Sequence, residues 1–316
     1  MKVSIIIPVY NASAFIKKCM DSVCSQTMTE GVECILIEDS GQDNSVEIIE
    51  DYINANENSY IYYKLLRQEH NQGPSAARNR GVREAKGEYV FFLDADDTIT
   101  PDCIELLYGL AKQHDADYVQ GKYTTSLHPS PIGRESKIPR FLDNKKEIKR
   151  LLLNHNKIQF TPHNRLVRRQ MIIDNGLFFN EEIMVREDFL WMTFVAKYVK
   201  KFASCDKPTY NRGYNEDSLT NNINSEREIA GYRVLIEQMV ANYDSFQLGY
   251  QKELALEVLM MALRAGYYHD EAERKYLIDV VSSKNKGIEN VLLWIFLKTE
   301  NSKILHFLVR LYKIRD

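Results

Sequence analysis

Three aspartates follow directly on an apolar run in the segment YVFFLDADDTITPD, residues 89–102. Asp94, Asp96 and Asp97 would repel one another at the end of a buried strand, because carboxylates are seldom buried without a partner. Mg²⁺ and Mn²⁺ prefer oxygen ligands and usually bind one or two carboxylates together with the phosphates of a substrate. The pattern indicates a divalent-cation site, but a D-x-D motif alone is short, and taken alone it favours a polar turn before a helix.

Two further segments have side chains suited to a nucleotide. Glu38 and Asp39 in LIEDSGQDNS end an apolar run, where a carboxylate can accept hydrogen bonds from a nucleobase imide or a ribose hydroxyl. The same residue types form ordinary turns, which this segment favours when taken alone. Arg78 and Arg80 in GPSAARNRG are candidate partners of a diphosphate, since a guanidinium can bind phosphate with two hydrogen bonds. A helical arginine is more commonly a surface residue.

An acidic pair, Glu187 and Asp188, stands beside apolar residues in MVREDFLW. Apolar neighbours reduce the hydration of a carboxylate and make it a better general base, although acids are equally common at a helix N-terminus. His163 in TPHNRLVRR and Arg212 in YNRGYNEDSLT could each reach a phosphate. Each is, in isolation, better interpreted as a polar loop residue.

Apolar β-branched runs alternate with amphipathic stretches around these motifs. Strands are predicted in VSIIIPVY, VECILIE, IYYKLLRQ and YVFFL, with helices between them that have Ser13 as an N-cap and Pro74 near a start. Such alternation is typical of a parallel sheet with helices on both faces, whose ligands bind beyond the carboxyl ends of the strands. Two predicted strands, ending at Ile37 and Leu93, lead into acids, so we expect one shared site.

The alternation weakens after Asp117. Residues 121–140 are polar and rich in proline and glycine, which predicts a loop or flap. Helices are predicted in NKKEIKRLLLNH and REDFLWMTFVAKYVKK, and from about residue 222 consecutive helices are predicted to the end. The expected fold class is therefore α/β with a helical C-terminal region at residues 221–316.

Composition excludes several function classes. The 316 residues include 41 Lys and Arg against 44 Asp and Glu, a net charge of −3, whereas general nucleic-acid binders have a basic surplus. Five cysteines without a C-x-x-C pair argue against zinc or disulfides and favour reduced thiols in the cytosol. MKVSIIIPVYN lacks the long apolar region of a signal peptide. The sequence has no run of about 18 apolar residues, so no membrane-spanning helix is expected.

The order and spacing of the motifs resemble those of the inverting family 2 glycosyltransferases, which have a GT-A fold; the segments are VSIIIPVYN, IEDSGQDNS, GPSAARNRG, FLDADD, REDFLW and YNRGYNEDSLT. The resemblance covers about residues 2–220. It implies a Rossmann-like, mostly parallel sheet, with residues 1–115 binding a nucleotide-sugar and residues 116–220 binding the acceptor. The helical region 221–316 lies outside the resemblance.

The resemblance also implies a role for each motif residue. Donor contacts are implied for Pro8, Val9, Tyr10, Glu38, Asp39, Arg78, Asp94, Ala95, Asp96, His163 and Arg212. Asp96 and Asp97 would hold Mn²⁺ or Mg²⁺, and the catalytic residues would be Glu187 and Asp188, with Asp188 as the general base. Two departures are Glu38, where the family commonly has aspartate, and Arg186, where glycine often precedes the acids.

The implied reaction moves a sugar from a nucleoside-diphosphate donor, with a UDP-sugar as the first candidate, to a hydroxyl of a saccharide or lipid-linked saccharide. We expect a cytoplasmic protein of cell-surface polysaccharide synthesis, without nucleic-acid partners. The C-terminal segment VLLWIFLKTENSKILHFLVRLYKIRD could lie on an anionic membrane surface or form a homodimer contact, but a helix packed on the body is the more common arrangement.

Three alternatives fit the motifs less well. A nucleotidyltransferase would have a Gly-rich basic loop after the first strand, where this chain has PVYNASAF. A sugar-nucleotide oxidoreductase would have G-x-G-x-x-G there. A non-catalytic nucleotide-sugar or carbohydrate-binding subunit would have lost the D-x-D or the base, and the sequence retains both.

Overall fold

A computed structural model of the chain describes residues 1–125, 138–153, 158, 160–183 and 187–215, together with the single positions 234 and 238. Its contacts define two compact units, Met1–Asn222 and Ile223–Asp316. The helices predicted after residue 222 lie outside the described residues apart from those two positions, as does most of the predicted flap. The division of residues 1–220 into a donor half and an acceptor half stays a prediction.

The first unit is built on a nine-stranded sheet, and its first four strands are the four predicted apolar runs. The strands are β1 Val3–Val9, β2 Val32–Glu38, β3 Tyr62–Arg67, β4 Tyr89–Phe92, β5 Thr98–Ile99, β6 Tyr118–Thr125, β7 Phe141–Leu142, β8 Arg165–Arg168 and β9 Phe202–Arg212. Their order in the sheet is β3-β2-β1-β4-β8-β6-β9-β5, and β7 pairs with β9. Pairing is parallel from β3 to β4, and β8 is antiparallel to both of its neighbours, β4 and β6.

Seven helices connect these strands in the described residues. They are α1 Ile16–Cys24, α2 Ser45–Ala55, α3 Gly73–Glu84, α4 Cys103–His114, α5 Lys145–Leu152, α6 Arg169–Asp174 and α7 Glu187–Tyr198. The α3 helix packs on β1 and β2, and α4 packs on β6 and β9. The predicted α/β class with a mostly parallel central sheet is therefore confirmed.

The β1 strand shows why its sequence is apolar without interruption. Side chains alternate between the two faces of a sheet. Ile5 and Ile7 belong to a core that also contains Ile16 of α1 and Leu107 of α4. Ile6 faces α3 on the other side, where a Cβ added at Gly81 would lie 2.3 Å from its Cγ2 atom. Because helices cover both faces, every β1 side chain is buried except that of Pro8, which is half-buried.

Two local predictions are wrong. The α1 helix begins at Ile16, and Ser13 is not its N-cap; the backbone N–H of Ser13 instead donates a hydrogen bond to Asp43. The loop predicted from residue 121 begins later, because β6 continues to Thr125 by pairing with the end of β9. Because the second half of β6 is polar, the sequence pattern did not predict a strand there. This part of the strand forms by pairing with β9.

The remaining global features are simple. All five cysteines are free thiols. Among the helices of the described residues, none combines the length and the apolar character that crossing a membrane requires.

Gly81 and Gly109 give a matched pair of stability predictions. Gly81→Ala should lower the free energy of unfolding by about 1–3 kcal/mol, since the new methyl group meets the fully buried Ile6. Gly109→Ala, in α4, should leave it unchanged or raise it by about 0.5–1 kcal/mol, because nothing lies within 4 Å and alanine is the better helix former. Urea denaturation of both variants measures the difference, and equal midpoints would contradict the close approach of α3 to β1.

Candidate active site

Several chain segments meet at one edge of the sheet. The carboxyl ends of β1, β2, β4 and β9 lie there, and the chain enters β8 at the same edge because β8 runs antiparallel to β4. His163, just before β8, forms an isolated bridge with Phe92 at the end of β4. This topology brings the end of β4 together with segments that are more than 65 residues away in sequence.

Asp94 is the centre of this group. Its Oδ1 lies 3.1 Å from Nη2 of Arg78, and its Oδ2 lies 3.2 Å from Nδ1 of His163. Burial alone would raise the pKa of Asp94, but the hydrogen bond from His163 and the positive charge of Arg78 outweigh it and hold the pKa well below its usual range. Asp94 is therefore a carboxylate at neutral pH.

Asp97 has a different environment. It is 3% exposed, and its two oxygens accept hydrogen bonds from the Tyr210 hydroxyl at 2.5 Å and from the Gly213 N–H at 2.6 Å. Burial, followed by repulsion from Asp94, raises the pKa of Asp97 to about 8 despite these two bonds. A nearby cation would favour its ionised form.

Asp96 contacts the segment that follows β9. Its Oδ2 accepts a hydrogen bond from Asn215 at 3.1 Å. A Cβ at Gly213 would lie 2.1 Å from the backbone oxygen of Asp96, so this close approach requires glycine. Arg212 is exposed at the end of β9, beside this contact. The residues after β9 thus lie against residues 94–97, which we call the acidic loop after β4.

The histidine beside Asp94 is almost fully buried. His163 stacks on the Tyr210 ring at 4.9 Å, and its Nε2 is a buried polar atom without a hydrogen-bond partner among the described residues. Burial lowers its pKa despite the bond to Asp94. The ring is therefore neutral at pH 7, with Nδ1–H donating to Asp94 and a lone pair on Nε2.

The two acids at the end of β2 stabilise turns. Asp39, 3% exposed, accepts hydrogen bonds from Gln68 Nε2 and from the backbone N–H groups of Gln72 and Gly73, at 2.5–2.8 Å. Glu38 accepts one from Gly41 N–H at 2.6 Å. The turn function considered for this segment is present, and the implied donor contacts of both acids stay predictions.

The other residues with implied donor contacts differ in their exposure. Tyr10 is 48% exposed at the end of β1, whereas Val9 is buried and Pro8 is half-buried. Ala95 is half-buried between the acids of the D-x-D motif. The donor contacts implied for these four residues also stay predictions.

The acidic pair begins α7. Glu187 Oε1 lies 3.0 Å from Nη1 of Arg78, the same guanidinium that binds Asp94. Asp188 is half-buried, and its Oδ1 accepts a hydrogen bond from the N–H of Phe189 at 2.7 Å. Arg78 therefore joins the acidic pair directly to the acidic loop after β4.

Two residues that make contacts in or near the site, Tyr210 and Asn79, could not be identified from the sequence pattern. Tyr210 binds both Asp97 and the backbone N–H of Asp94, but it is one of 19 tyrosines in the chain and stands in no recognisable motif. Asn79 follows Arg78 in the segment GPSAARNRG. Its amide bonds both backbone groups of Phe179, at 2.8 and 2.9 Å, and an asparagine inside a helix is a weak signal for such a contact.

The residues present fit a divalent cation. Ligand atoms of Asp94, Asp97 and His163 all lie within 4.8 Å of one another. The acids around them outnumber Arg78, and the pKa of Asp97 is raised first by burial and then by repulsion from Asp94. Carboxylate oxygens are the donors that Mg²⁺ and Mn²⁺ prefer. Of the two ligands implied by the resemblance, this cluster contains Asp97; the role of Asp96 stays a prediction.

Comparisons with known proteins agree with this architecture. A poly(ribitol-phosphate) beta-glucosyltransferase of Bacillus spizizenii is 33% identical over 202 residues, which are 60% of this chain and 31% of that protein. The chain spans less than two thirds of the length of the curated relatives it matches.

Solved structures show the same fold. The crystal structure of S. aureus TarS 1–349 in complex with UDP-GlcNAc has a TM-score of 0.69 at 20% identity, covering 90% of this chain and 80% of that one. The mannosyltransferase PcManGT from Pyrobaculum calidifontis, in complex with GDP-Man and Mn²⁺, has a TM-score of 0.57 at 14% identity, covering 93% and 79%. The model of the family described as Glycosyl transferase family 2 matches residues 4–176, more than half of the chain. The chain therefore belongs to glycosyltransferase family 2 and has the GT-A fold.

Proposed function

We propose that the protein is a metal-dependent, inverting glycosyltransferase that moves a hexosyl or N-acetylhexosaminyl group from a nucleoside-diphosphate sugar to a hydroxyl group. One observation carries this proposal. Arg78 connects Asp94, in the D-x-D motif, with Glu187, in the acidic pair. The residues expected to bind the donor and those expected to take the acceptor proton therefore lie in one site. The donors in the neighbouring structures, UDP-GlcNAc and GDP-Man, support a nucleotide-sugar ligand.

Asp188 is the general base of the proposed reaction. The acceptor oxygen forms a bond to the anomeric carbon while the bond from that carbon to the diphosphate oxygen breaks. The hydroxyl proton passes to the Asp188 carboxylate, whose Oδ1 is held by the Phe189 N–H. A single displacement from the opposite face inverts the anomeric centre.

The acidic loop serves the leaving group. Asp96 and Asp97, with Asp94 and His163 beside them, would hold Mn²⁺ or Mg²⁺. When bound, the cation would neutralise charge that develops on the departing diphosphate. Asp97 and Tyr210 keep the loop in place through their hydrogen bond.

The acceptor is proposed to be a saccharide or lipid-linked saccharide, in the assembly of a cell-surface polysaccharide at the cytoplasmic side of the membrane. UDP-sugars are the first candidate donors, because TarS was solved with UDP-GlcNAc. The predicted helical region 221–316 is the part of the chain that would make a peripheral membrane contact or a homodimer contact.

A donor panel tests this function. The purified chain, incubated with UDP-glucose, UDP-galactose, UDP-GlcNAc, UDP-GalNAc and GDP-mannose, should release free nucleoside diphosphate from at least one donor in the presence of Mn²⁺ or Mg²⁺. EDTA should reduce the release by about 100-fold or more, given the several kcal/mol that a Lewis acid contributes. Tight donor binding without turnover on any acceptor would favour the non-catalytic binding subunit instead.

A further inference from the structure

Arg78 lies between two carboxylates that come from opposite sides of the site. Its Nη2 is 3.1 Å from Asp94 at the end of β4, and its Nη1 is 3.0 Å from Glu187 at the start of α7. The arginine is 7% exposed, and its Nε is buried without a partner among the described residues. Both ends of the guanidinium fork are therefore engaged with protein carboxylates.

The backbone of Arg78 is held in place by the packing of its helix. It lies on the buried face of α3, which packs on β1 and β2 of the central sheet. Its guanidinium also lies 5.5 Å from the centre of the Phe179 ring, and Phe179 stacks on Trp191 of α7 at 4.6 Å. The neighbouring Asn79 binds the backbone of Phe179. Two consecutive residues of α3 thus hold the segment before α7 and the first residue of α7.

We propose that Arg78 is a positioning residue, which sets the start of α7, and with it Asp188, at a fixed place relative to the acidic loop that binds the donor. In its kinetic consequences the inference rests on the proposed function. It differs from the role of diphosphate partner that the sequence resemblance implies for Arg78. A diphosphate partner contributes to donor affinity, whereas a positioning residue contributes to the rate of transfer from bound donor.

The electrostatics explain why the guanidinium is needed. Asp94 and Glu187 both lie at hydrogen-bond distance from the same guanidinium, 3.1 and 3.0 Å, and would repel each other without it. Removing one member of a buried ion pair leaves the other charges uncompensated. Asp94 lies only two residues beyond β4, so we expect the start of α7 to shift when the ion pairs are lost, and a displacement of about 1 Å can reduce a rate by about 100-fold.

The experiment compares Arg78→Met and Arg78→Lys with Arg83→Met as the matched control. Arg83 is an exposed residue of the same helix and lies 4.0 Å from Glu181. Methionine keeps the length of the apolar stem but removes both ion pairs, and lysine can satisfy one carboxylate as a point charge. Kd for UDP and Mn²⁺ is measured by calorimetry, together with kcat and KM for the donor found in the panel.

We expect Arg78→Met to lower kcat by about 100-fold while Kd changes by less than about threefold, with Arg78→Lys in between and Arg83→Met like the wild type. In a double-mutant cycle, Glu187→Gln combined with Arg78→Met should lose little more than Arg78→Met alone. A tenfold or larger loss of UDP affinity with kcat retained would overturn the inference in favour of a diphosphate contact. Multiplicative effects in the cycle would also overturn it.

A second measurement does not depend on catalysis. Hydrogen–deuterium exchange of the α7 amides, residues 191–198, should be faster in Arg78→Met than in Arg83→Met, because the first residue of α7 loses its ion pair with α3. Unchanged exchange in Arg78→Met would overturn the positioning role whatever the activity. If no donor is turned over by the wild type, the proposed function fails, while this exchange result still decides the role of Arg78.

Discussion

Replacing Asp188 with asparagine should lower the rate of sugar transfer by about 10²–10⁴-fold, the range that a positioned general base contributes. Asparagine has nearly the same shape, and its side-chain oxygen can still accept the hydrogen bond from the Phe189 N–H. It cannot take a proton from the acceptor hydroxyl at neutral pH. The variant therefore removes the chemistry while keeping the local structure.

The measurement pairs kinetics with binding. Transfer rates are taken at saturating donor, and the Kd for UDP and Mn²⁺ should stay within about twofold of the wild type, since the base acts only on the acceptor. Asp174→Asn, at the exposed end of α6, is the matched control and should leave both quantities unchanged. Near-wild-type transfer by Asp188→Asn would exclude Asp188 as the base and direct attention to Glu187.

The part of the site that sequence could predict is the part that depends on local pattern. Apolar runs located β1, β2 and β4, and the general rule for open α/β sheets placed Asp39 and Asp94 beyond their carboxyl ends. Both rules use residues close together in the chain. They gave the edge of the sheet at which the site lies, but no contact within it.

The contacts within the site come from pairings that leave no local pattern. His163 reaches Asp94 because the four-residue strand β8 inserts antiparallel beside β4, and Tyr210 reaches Asp97 because β9 pairs with the short β5 strand that follows the acidic loop. The residues joined in these contacts are 69 and 113 positions apart. Nothing in a stretch of four or eleven residues indicates which distant strand it will pair with.

Arg78 illustrates a different limit. Its residue type suits partners with negatively charged oxygens, because a guanidinium binds carboxylate and phosphate with the same fork geometry, and the predicted diphosphate contact stays a prediction. The sequence could not distinguish between these two partners. That distinction required the position of α7, whose first residue provides the carboxylate of Glu187.

Asp96→Ala should weaken the binding of UDP in the presence of Mn²⁺ by about 100-fold or more, because loss of a direct ligand exceeds the 10–100-fold typical of residues that only support one. Asp96 accepts one hydrogen bond, from Asn215, and is half-buried, so its loss removes little packing. In EDTA, the variant and the wild type should bind UDP with similar affinity. The effect is therefore specific to the metal-dependent part of donor binding.

Two further variants distinguish the possible ligand sets. Asp102→Asn, whose side chain accepts a hydrogen bond from Thr100 after β5, is the control and should bind as the wild type does. Asp97→Asn keeps one oxygen that can accept from the Gly213 N–H, and its NH2 group can donate to the Tyr210 oxygen, but the variant should also lose Mn²⁺-dependent affinity. If Asp97→Asn loses that affinity and Asp96→Ala does not, calorimetry would assign the cation to the cluster of Asp94, Asp97 and His163. Unchanged affinity in both variants would contradict a metal-binding role for the acidic loop altogether.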